Sequence, residues 1–223
     1  MNRSVHLAIV VAVPLVAALL AAVARRRPPA ARRIRVALAV AIGSNELVWY
    51  GYAAARGWVA PPHGLPLDLC DVALWLTVYT LATPRAWALD TVYYVGLAGS
   101  SMAVLTPDLG APFPSYPAVK FFAAHGSVVA AILFLVWSGA LRPRRHSWWR
   151  VFLGVNVYAA LVGLFDARYG TNYMYLREKP ASSTLLDLFG PWPWYLLGGE
   201  VLGFLLFLLL YLPVRTAPRS RPA

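Results

Sequence analysis

The sequence is poor in charge: only 13% of its 223 residues are Asp, Glu, Lys or Arg, whereas soluble domains have about 25%. A single cysteine excludes an internal disulfide framework. Hydrophobic residues make up 60% of the chain, compared with roughly 45–50% in soluble domains. This low charge and high hydrophobic content indicate an integral membrane protein. We find no internal repeat and no separate water-soluble segment.

Acidic residues are also few, with nine against twenty basic ones, and the net charge is +11. The basic residues stand in short blocks between apolar runs, which is typical of membrane topology rather than of a DNA-binding face. Nucleic acid is therefore not expected as a partner, and membrane lipids are.

Seven apolar runs are long enough to cross about 30 Å of hydrocarbon. They lie near residues 5–24, 35–55, 67–83, 87–106, 118–140, 148–167 and 192–213. The block 25–27 follows the first run with three arginines, which indicates a retained anchor rather than a cleaved signal peptide. With the N-terminus outside, fourteen of the twenty basic residues are cytoplasmic.

The sequence therefore predicts an all-α, polytopic membrane protein, a seven-transmembrane-helix bundle that forms one domain over residues 1–223. Its N-terminus is expected outside and its C-terminus in the cytoplasm, in a multi-pass cell-membrane protein. The sequence says nothing about the oligomeric state.

The longest predicted external loop, 168–191, is rich in aromatic and basic side chains. One interpretation of the tryptophans that follow it, Trp192 and Trp194, is an aromatic belt at the membrane interface, and of its cations a solvated loop. The alternative is a cap whose cations meet the phosphate or carboxylate of a lipid substrate. The candidate substrate-binding residues are Tyr173, Tyr175, Arg177, Lys179, Trp192 and Trp194.

Polar side chains inside the predicted spans require a reason, because a carboxylate there costs at least about 2.5–3.5 kcal/mol on insertion scales. Positions in the outer half of the membrane are occupied by Glu46, Asp71, Ser100, Ser101, His125 and Glu200. They predict one polar cavity that opens outward. Interhelical hydrogen bonds are the alternative, above all for the serines. Asp90 and Asp166 lie near span ends, where interfacial positions explain them.

Cys70, at the start of the third span, is the candidate nucleophile. The helix dipole there favours a thiolate, whereas the neighbouring Asp68 and Asp71 disfavour it. Cys70 therefore needs a base, and His125 is the only histidine within a predicted span at outer depth. A Cys–His pair suits acyl transfer through a thioester. An inert, buried Cys70 is the alternative.

Four other residues could support this pair. Glu46 or Glu200 could orient the imidazole, and Ser100 or Ser101 could donate a hydrogen bond to an oxyanion. An estimated depth difference of about 7 Å between the predicted positions of Cys70 and His125 opposes the pairing. The depth difference disappears if the 56–66 loop enters the membrane or if the third span begins later.

A metal site was the remaining alternative. Its ligands would be Glu46, Asp68, Cys70, Asp71 and His125. No pair of histidines stands one helical turn apart, so the spacing does not match a metal motif. Neither a metal nor a cofactor is predicted.

Five motifs follow one another in a distinctive order. They are Leu65-Pro66-Leu67-Asp68-Leu69-Cys70-Asp71, Gly99-Ser100-Ser101 with Leu105-Thr106-Pro107-Asp108, Phe121-Phe122-Ala123-Ala124-His125-Gly126, Asn172-Tyr173-Met174-Tyr175-Leu176 with Lys179-Pro180, and Gly190-Pro191-Trp192-Pro193-Trp194-Tyr195. In this order the chain resembles the YwaF-like bacterial integral membrane protein family, which is related to eukaryotic transmembrane protein 164.

The resemblance implies a seven-helix membrane protein. Through the eukaryotic relative it also implies a phospholipid acyltransferase, with Cys70 as acyl carrier and His125 as base. Asp68 departs from the family pattern, in which histidine often stands two residues before the cysteine.

Three functions are compatible with these residues. The first is a cysteine-dependent lipid acyltransferase or lipid hydrolase with an outward-facing cavity. The second is a transporter or binding protein for a small solute or lipid that uses Glu46 and Glu200. The third is a scaffold for other envelope proteins, in which neither Cys70 nor His125 matters.

Overall fold

The computed structural model describes residues 1–180 and 184–215, which fold into seven α-helices. These are α1 (Arg3–Arg26), α2 (Pro28–Ala55), α3 (Leu69–Ala82), α4 (Ala86–Leu105), α5 (Tyr116–Trp137), α6 (Ser147–Tyr169) and α7 (Trp194–Arg215). Two short 3₁₀-helices, Tyr173–Tyr175 and Leu185–Phe189, lie between α6 and α7. The described residues form no strand, so the predicted all-α fold is confirmed.

Five helices, namely α1, α4, α5, α6 and α7, are long and apolar enough to cross a membrane. The other two differ from the prediction. With 28 residues, α2 begins at Pro28, seven residues before the predicted start, because Pro28 and Pro29 suit the first turn of a helix. The 14 residues of α3 make it only about 21 Å long, shorter than the hydrocarbon core.

Contacts between helix ends show the relative directions of α1, α4 and α5. Near the start of α1, the His6 ring nitrogen Nε2 lies 2.8 Å from the Val104 carbonyl oxygen at the end of α4. At the other end of α1, the Arg25 guanidinium bonds to the Trp137 carbonyl at the end of α5. The first and fifth helices are therefore parallel, and the fourth runs against them.

The centre of the bundle is formed by α4 and α5. The former packs against α3, α5, α6 and α7, and the latter against α1, α2, α3 and α4. Gly96 of α4 packs against α5, and a Cβ atom there would lie 2.5 Å from the Ile132 Cδ1 atom. A larger residue at this crossing would therefore displace the Ile132 side chain.

Asp90 and Asp166 lie near the ends of α4 and α6, and both side chains are buried by protein. Asp90 is 1% exposed and accepts hydrogen bonds from the backbone N and the side-chain Nε of Arg144, at 2.8 and 2.6 Å. Asp166 is fully buried and accepts a 2.6 Å hydrogen bond from the Thr171 hydroxyl. Both carboxylates connect a loop to the end of a helix, and these local hydrogen bonds compensate the cost of burying them.

Candidate functional site

A small cavity lies where α2, α3, α4 and α5 meet. It has space of about 30 Å³, which holds one or two water molecules. Its polar lining consists of Glu46, Cys70, Asp71, Ser100, Lys120 and His125. All of these except Lys120 were predicted from the sequence, so the fold brings together five of the candidate residues from four helices. We call this space the Cys70 cavity.

The orientation of His125 is set by its own helix. Its Nδ1 atom lies 2.8 Å from the Phe121 carbonyl oxygen, one turn earlier. A carbonyl oxygen only accepts, so Nδ1 carries the proton and Nε2 of the neutral ring keeps a free lone pair. The group that orients the imidazole is therefore this backbone carbonyl, and not Glu46 or Glu200 as the sequence suggested.

Glu46 forms an ion pair with Lys120 in the wall of the cavity. The Lys120 Nζ atom lies 3.1 Å from Oε1 and 2.9 Å from Oε2 of a carboxylate that is fully buried. The ammonium group also lies 4.8 Å from the centre of the Trp49 ring. Burial of Glu46 is tolerated because the cation compensates it, and the cavity acquires a positive group next to the thiol.

Cys70 is exposed and lies in the first turn of α3, yet it shares a cavity with residues deep in two other helices. Glu46 stands nine residues before the end of α2, and His125 nine residues after the start of α5. Helix α3 therefore begins roughly 10 Å below those helix ends. This closes the depth difference that opposed the Cys70–His125 pairing.

The connection between α2 and α3 fills the space above the start of α3. It folds back on itself at Gly64, whose φ is +75°, and a Cβ atom there would lie 2.5 Å from the Trp58 carbonyl oxygen. Only glycine fits this turn without displacement of the backbone. The turn and Pro66 together bring the chain down to Asp68, the residue before α3.

A second cavity of about 400 Å³ lies above the first, and we call it the vestibule. Its lining is aromatic and polar and includes Trp49, Tyr50, Trp58, His63, Asp68, Asp71, Asn172 and Tyr173. Asp71 lines both cavities, so the two adjoin at its side chain. The vestibule is therefore the cavity next to the one that Cys70 lines.

The segment 171–178, the capping loop, is fastened over the vestibule by specific hydrogen bonds. The Tyr173 hydroxyl accepts one from the Leu65 backbone N–H and donates one to the Pro62 carbonyl, both at 2.8 Å. The Asp68 carboxylate accepts a 2.8 Å hydrogen bond from the Met174 backbone N–H. Asp68 thus anchors the loop next to Cys70, which accounts for a carboxylate at this position.

The backbone of the capping loop is strained at two consecutive positions. Met174 and Tyr175 both have φ of 55°, which costs a residue with a side chain about 1–2 kcal/mol. The Tyr175 carbonyl accepts a 2.6 Å hydrogen bond from the Tyr195 hydroxyl. Burial, and then the charges of Asp108, Asp68 and Cys70, raise the pKa of the Tyr175 phenol.

The two cations predicted to bind substrate, Arg177 and Lys179, already interact with other residues of the chain. Lys179 forms an ion pair with Asp187 at 2.8 Å. The Arg177 Nη1 atom lies 3.4 and 3.5 Å from the carbonyl oxygens of Thr171 and Asp166. Their charges therefore support the loop before any ligand is bound.

Trp192 and Trp194, at the start of α7, lie at the surface. Trp192 is 61% exposed and its indole N–H donates to the Leu176 carbonyl at 3.3 Å, and Trp194 is 63% exposed. Their exposure is compatible with either interpretation of them.

Glu200 and Ser101 do not line the Cys70 cavity. Glu200 is exposed on α7, where its Oε1 atom accepts a 2.8 Å hydrogen bond from the Asn156 amide of α6. Ser101 is half-buried, whereas its neighbour Ser100 is buried in the cavity wall. The prediction that Glu200 joins Glu46 and His125 in one cavity is therefore wrong.

Lys120 is the residue that sequence reasoning missed. The α5 residues that line the cavity are Lys120, Ala124, His125 and Val128, which form one helical face. Lys120 stands one turn before Ala124 on that face and five residues before His125, so the position of His125 alone does not point to it. Among the described residues, no group of three or more His, Cys, Asp or Glu side chains is arranged to hold a metal ion.

Comparison with known proteins adds the family. The model of the TMEM164 family matches residues 2–211, which is nearly the whole chain. No curated protein and no solved structure matches the sequence. The apolar helices agree with the family in showing an integral membrane protein. The chain therefore belongs to the TMEM164 family.

Proposed function

We propose that the protein is a cysteine-dependent acyltransferase or hydrolase of membrane lipids, with Cys70 as acyl carrier and His125 as base. The observation that supports it is the single cavity that holds the thiol and an imidazole whose Nε2 has a free lone pair. A nucleophile next to a base that is itself oriented is the general requirement for covalent acyl transfer.

The first half-reaction moves the acyl group to the protein. His125 Nε2 takes the proton of the Cys70 thiol while the sulfur bonds to the ester carbonyl carbon of a phospholipid. The tetrahedral intermediate then breaks its bond to the alcohol oxygen, which receives the proton from His125. A lyso-lipid leaves, and the acyl group remains on Cys70 as a thioester.

The second half-reaction reverses these roles. The hydroxyl of another lyso-lipid, or water, attacks the thioester carbonyl and gives its proton to His125 Nε2. The carbon–sulfur bond breaks, and the thiol recovers the proton. The product is a new phospholipid in the first case and a free fatty acid in the second.

Lys120 and Ser100 are the donors that the cavity offers to a developing oxyanion. The ammonium group keeps Glu46 as its counter-ion, so it is held in place before reaction, and preorganised donors of this kind are worth more than flexible ones. Asp71 lies in the same wall and disfavours a thiolate at rest. The thiol is therefore expected to lose its proton only as the carbonyl is attacked.

The size of the Cys70 cavity limits how a lipid approaches. Space for one or two water molecules admits an ester group but no acyl chain. The rest of the substrate has to lie in the vestibule or along the outer surface of the helices. The capping loop and its residues Tyr173 and Tyr175 border this path, so they remain the proposed substrate-binding residues.

The proposal is tested with purified protein in liposomes that contain a phospholipid with a labelled acyl chain. Wild type is expected to form a thioester on Cys70 and to transfer the label to added lyso-lipid or to water. Cys70→Ala is expected to abolish both, and His125→Gln to slow them by at least 100-fold. His146→Gln, at an exposed histidine before α6, is the matched control.

Equal labelling of Cys70→Ala and wild type would eliminate the thioester mechanism. Label found on lyso-lipid identifies an acyltransferase, and label found only as fatty acid identifies a hydrolase. Both outcomes use the same intermediate.

The transporter hypothesis loses its main support, because Glu46 and Glu200 lie in different places and Glu46 is neutralised by Lys120. It makes one distinct prediction: uptake into sealed vesicles that depends on Glu46 and not on Cys70.

We also propose that all seven helices cross the cell membrane, with the N-terminus outside and the Cys70 cavity facing outward. The short α3 requires the 56–68 connection to enter the membrane from that side. Residues Arg3 and Arg142, each changed to Cys in a Cys70→Ser chain, should react with impermeant maleimide from outside and from inside, respectively. The opposite pattern would reverse the orientation.

A further inference from the structure

An apolar groove of about 380 Å³ separates α3 from α6, with α4 as its floor, and we call it the α3–α6 groove. Helix α3 contributes Leu69, Val72 and Leu76 to it, whereas Cys70, Asp71 and Leu74 face the Cys70 cavity. The groove is therefore on a different face of α3 from the candidate catalytic residues. None of the function proposed above uses it.

The two ends of the groove differ in charge. Its charged lining residues are Asp90, Arg144 and Arg150, and all three lie at the end next to the start of α6. Arg144 already pairs with Asp90 at 2.6 Å, so the exposed guanidinium of Arg150 supplies the net positive charge. The opposite end, between Leu69 and Tyr158, has no charged lining residue within the described chain.

Aromatic side chains mark the charged end as the level of lipid headgroups. Trp87, which lines the groove, is 52% exposed, and Trp149 is 46% exposed with the Arg150 guanidinium 5.3 Å from its ring. Tryptophans are enriched at membrane interfaces, where one end of the ring is apolar and the other wet. The groove thus runs from an interface into the hydrocarbon.

The dimensions of the groove suit one lipid chain. From Arg150 to Tyr158 the wall formed by α6 is about 12 Å long. Midway along it stands Gly154, where a Cβ atom would meet nothing within 4 Å. The wall is therefore open where a side chain would otherwise fill it.

We propose that the α3–α6 groove binds one acyl chain of an anionic glycerophospholipid, with the lipid phosphate against Arg150. The charge of the lining selects this ligand: an apolar channel ends in a surplus cation, and basic pockets between membrane helices are sites for anionic headgroups. The site is distinct from the Cys70 cavity and retains its ligand when Cys70 is replaced.

The proposal is tested by native mass spectrometry of the full chain in detergent with equal amounts of phosphatidylglycerol and phosphatidylcholine of identical acyl chains. Wild type is expected to retain phosphatidylglycerol preferentially. Arg150→Gln should weaken its binding roughly fivefold, the effect of one basic side chain near an anionic lipid. Gly154→Leu should displace both lipids from the groove.

Two matched variants separate the groove from the general surface. Arg32→Gln removes the same charge from an exposed position on α2, and Gly203→Leu makes the same change at an open position on α7. Both are expected to bind phosphatidylglycerol as wild type does. Cys70→Ala is also expected to bind as wild type, even if it abolishes acyl transfer.

Three results would overturn the proposal. They are equal losses for Arg150→Gln and Arg32→Gln, unchanged binding in Gly154→Leu, or equal retention of phosphatidylcholine and phosphatidylglycerol by wild type. Because Arg150 is exposed, its replacement does not disturb the core, and the test stands even if Gly154→Leu fails to fold.

Discussion

The ion pair between Glu46 and Lys120 should dominate the stability of the Cys70 cavity, and Lys120→Met tests this. The substitution keeps most of the apolar stem of the side chain and removes the ammonium group, which lies 2.9 and 3.1 Å from the two carboxylate oxygens. Glu46 has no exposed surface, and the Lys120 side chain is only 13% exposed. Apart from the small Cys70 cavity, the carboxylate has no access to water that could replace the missing partner.

The expected loss of stability depends on whether one partner of the buried ion pair is removed or both. Removal of one partner leaves an uncompensated buried charge and typically costs about 3–5 kcal/mol, whereas replacement of both partners by apolar residues is often neutral. At about 2–4 °C per kcal/mol for a chain of this size, Lys120→Met should lower the Tm by roughly 6–20 °C. Glu46→Leu with Lys120→Met should recover most of that loss.

The assay is thermal unfolding in detergent, followed by the intrinsic fluorescence of the nine tryptophans. The two single variants and the double variant form a mutant cycle, and the interaction energy should be about 2–4 kcal/mol. A double variant whose loss equals the sum of the single losses would refute the reasoning, because the two side chains would then act independently. A Tm for Lys120→Met within about 2 °C of wild type would refute it as well.

Three further predictions concern other parts of the structure. Arg144→Gln should lower the free energy of unfolding by about 1–3 kcal/mol, because buried Asp90 keeps only the backbone N–H as donor; unchanged urea unfolding would contradict this. Lys179 lowers the pKa of Asp187 below its ordinary value, so the pair stabilises the fold above that value and the contribution disappears as the pH falls below it. Asp187→Asn and wild type should therefore differ in Tm at neutral pH and converge in acid, and a constant difference would contradict this. At the φ of 55°, Met174→Gly should relieve about 1–2 kcal/mol of backbone strain, whereas Met174→Val should destabilise, because a β-branched residue tolerates this φ least. Equal Tm values for the two would show that the left-handed conformation is not required.

The predicted helices were correct in number for the described chain, although their ends moved. Apolar composition and run length are local properties, so they locate a helix without knowledge of its neighbours. The start of α2 shifted because proline at residues 28 and 29 begins a helix as readily as it ends one. The short α3 could not be foreseen, because its depth depends on how the connection before it folds at Gly64.

For the candidate site too, residue type and depth could be predicted locally, whereas the rotation of each helix depended on the tertiary structure. Cys70 and His125 could be singled out because each is the only residue of its type at its predicted depth, and the family resemblance points to the same two. Glu200 was assigned to the same cavity from depth alone. Depth along a helix does not give its rotation, and α7 turns Glu200 toward Asn156 on α6 instead.

By itself, therefore, the sequence determined a helical membrane protein and its apolar runs, and it singled out Cys70 and His125 as candidate site residues, because these follow from residue type and spacing. The tertiary structure alone decided that Lys120 neutralises Glu46, that a backbone carbonyl holds His125, and that Cys70 lies level with both. Each of these facts depends on the relative rotation and depth of separate helices. Packing between helices sets those two variables, and no pattern within a single helix contains them.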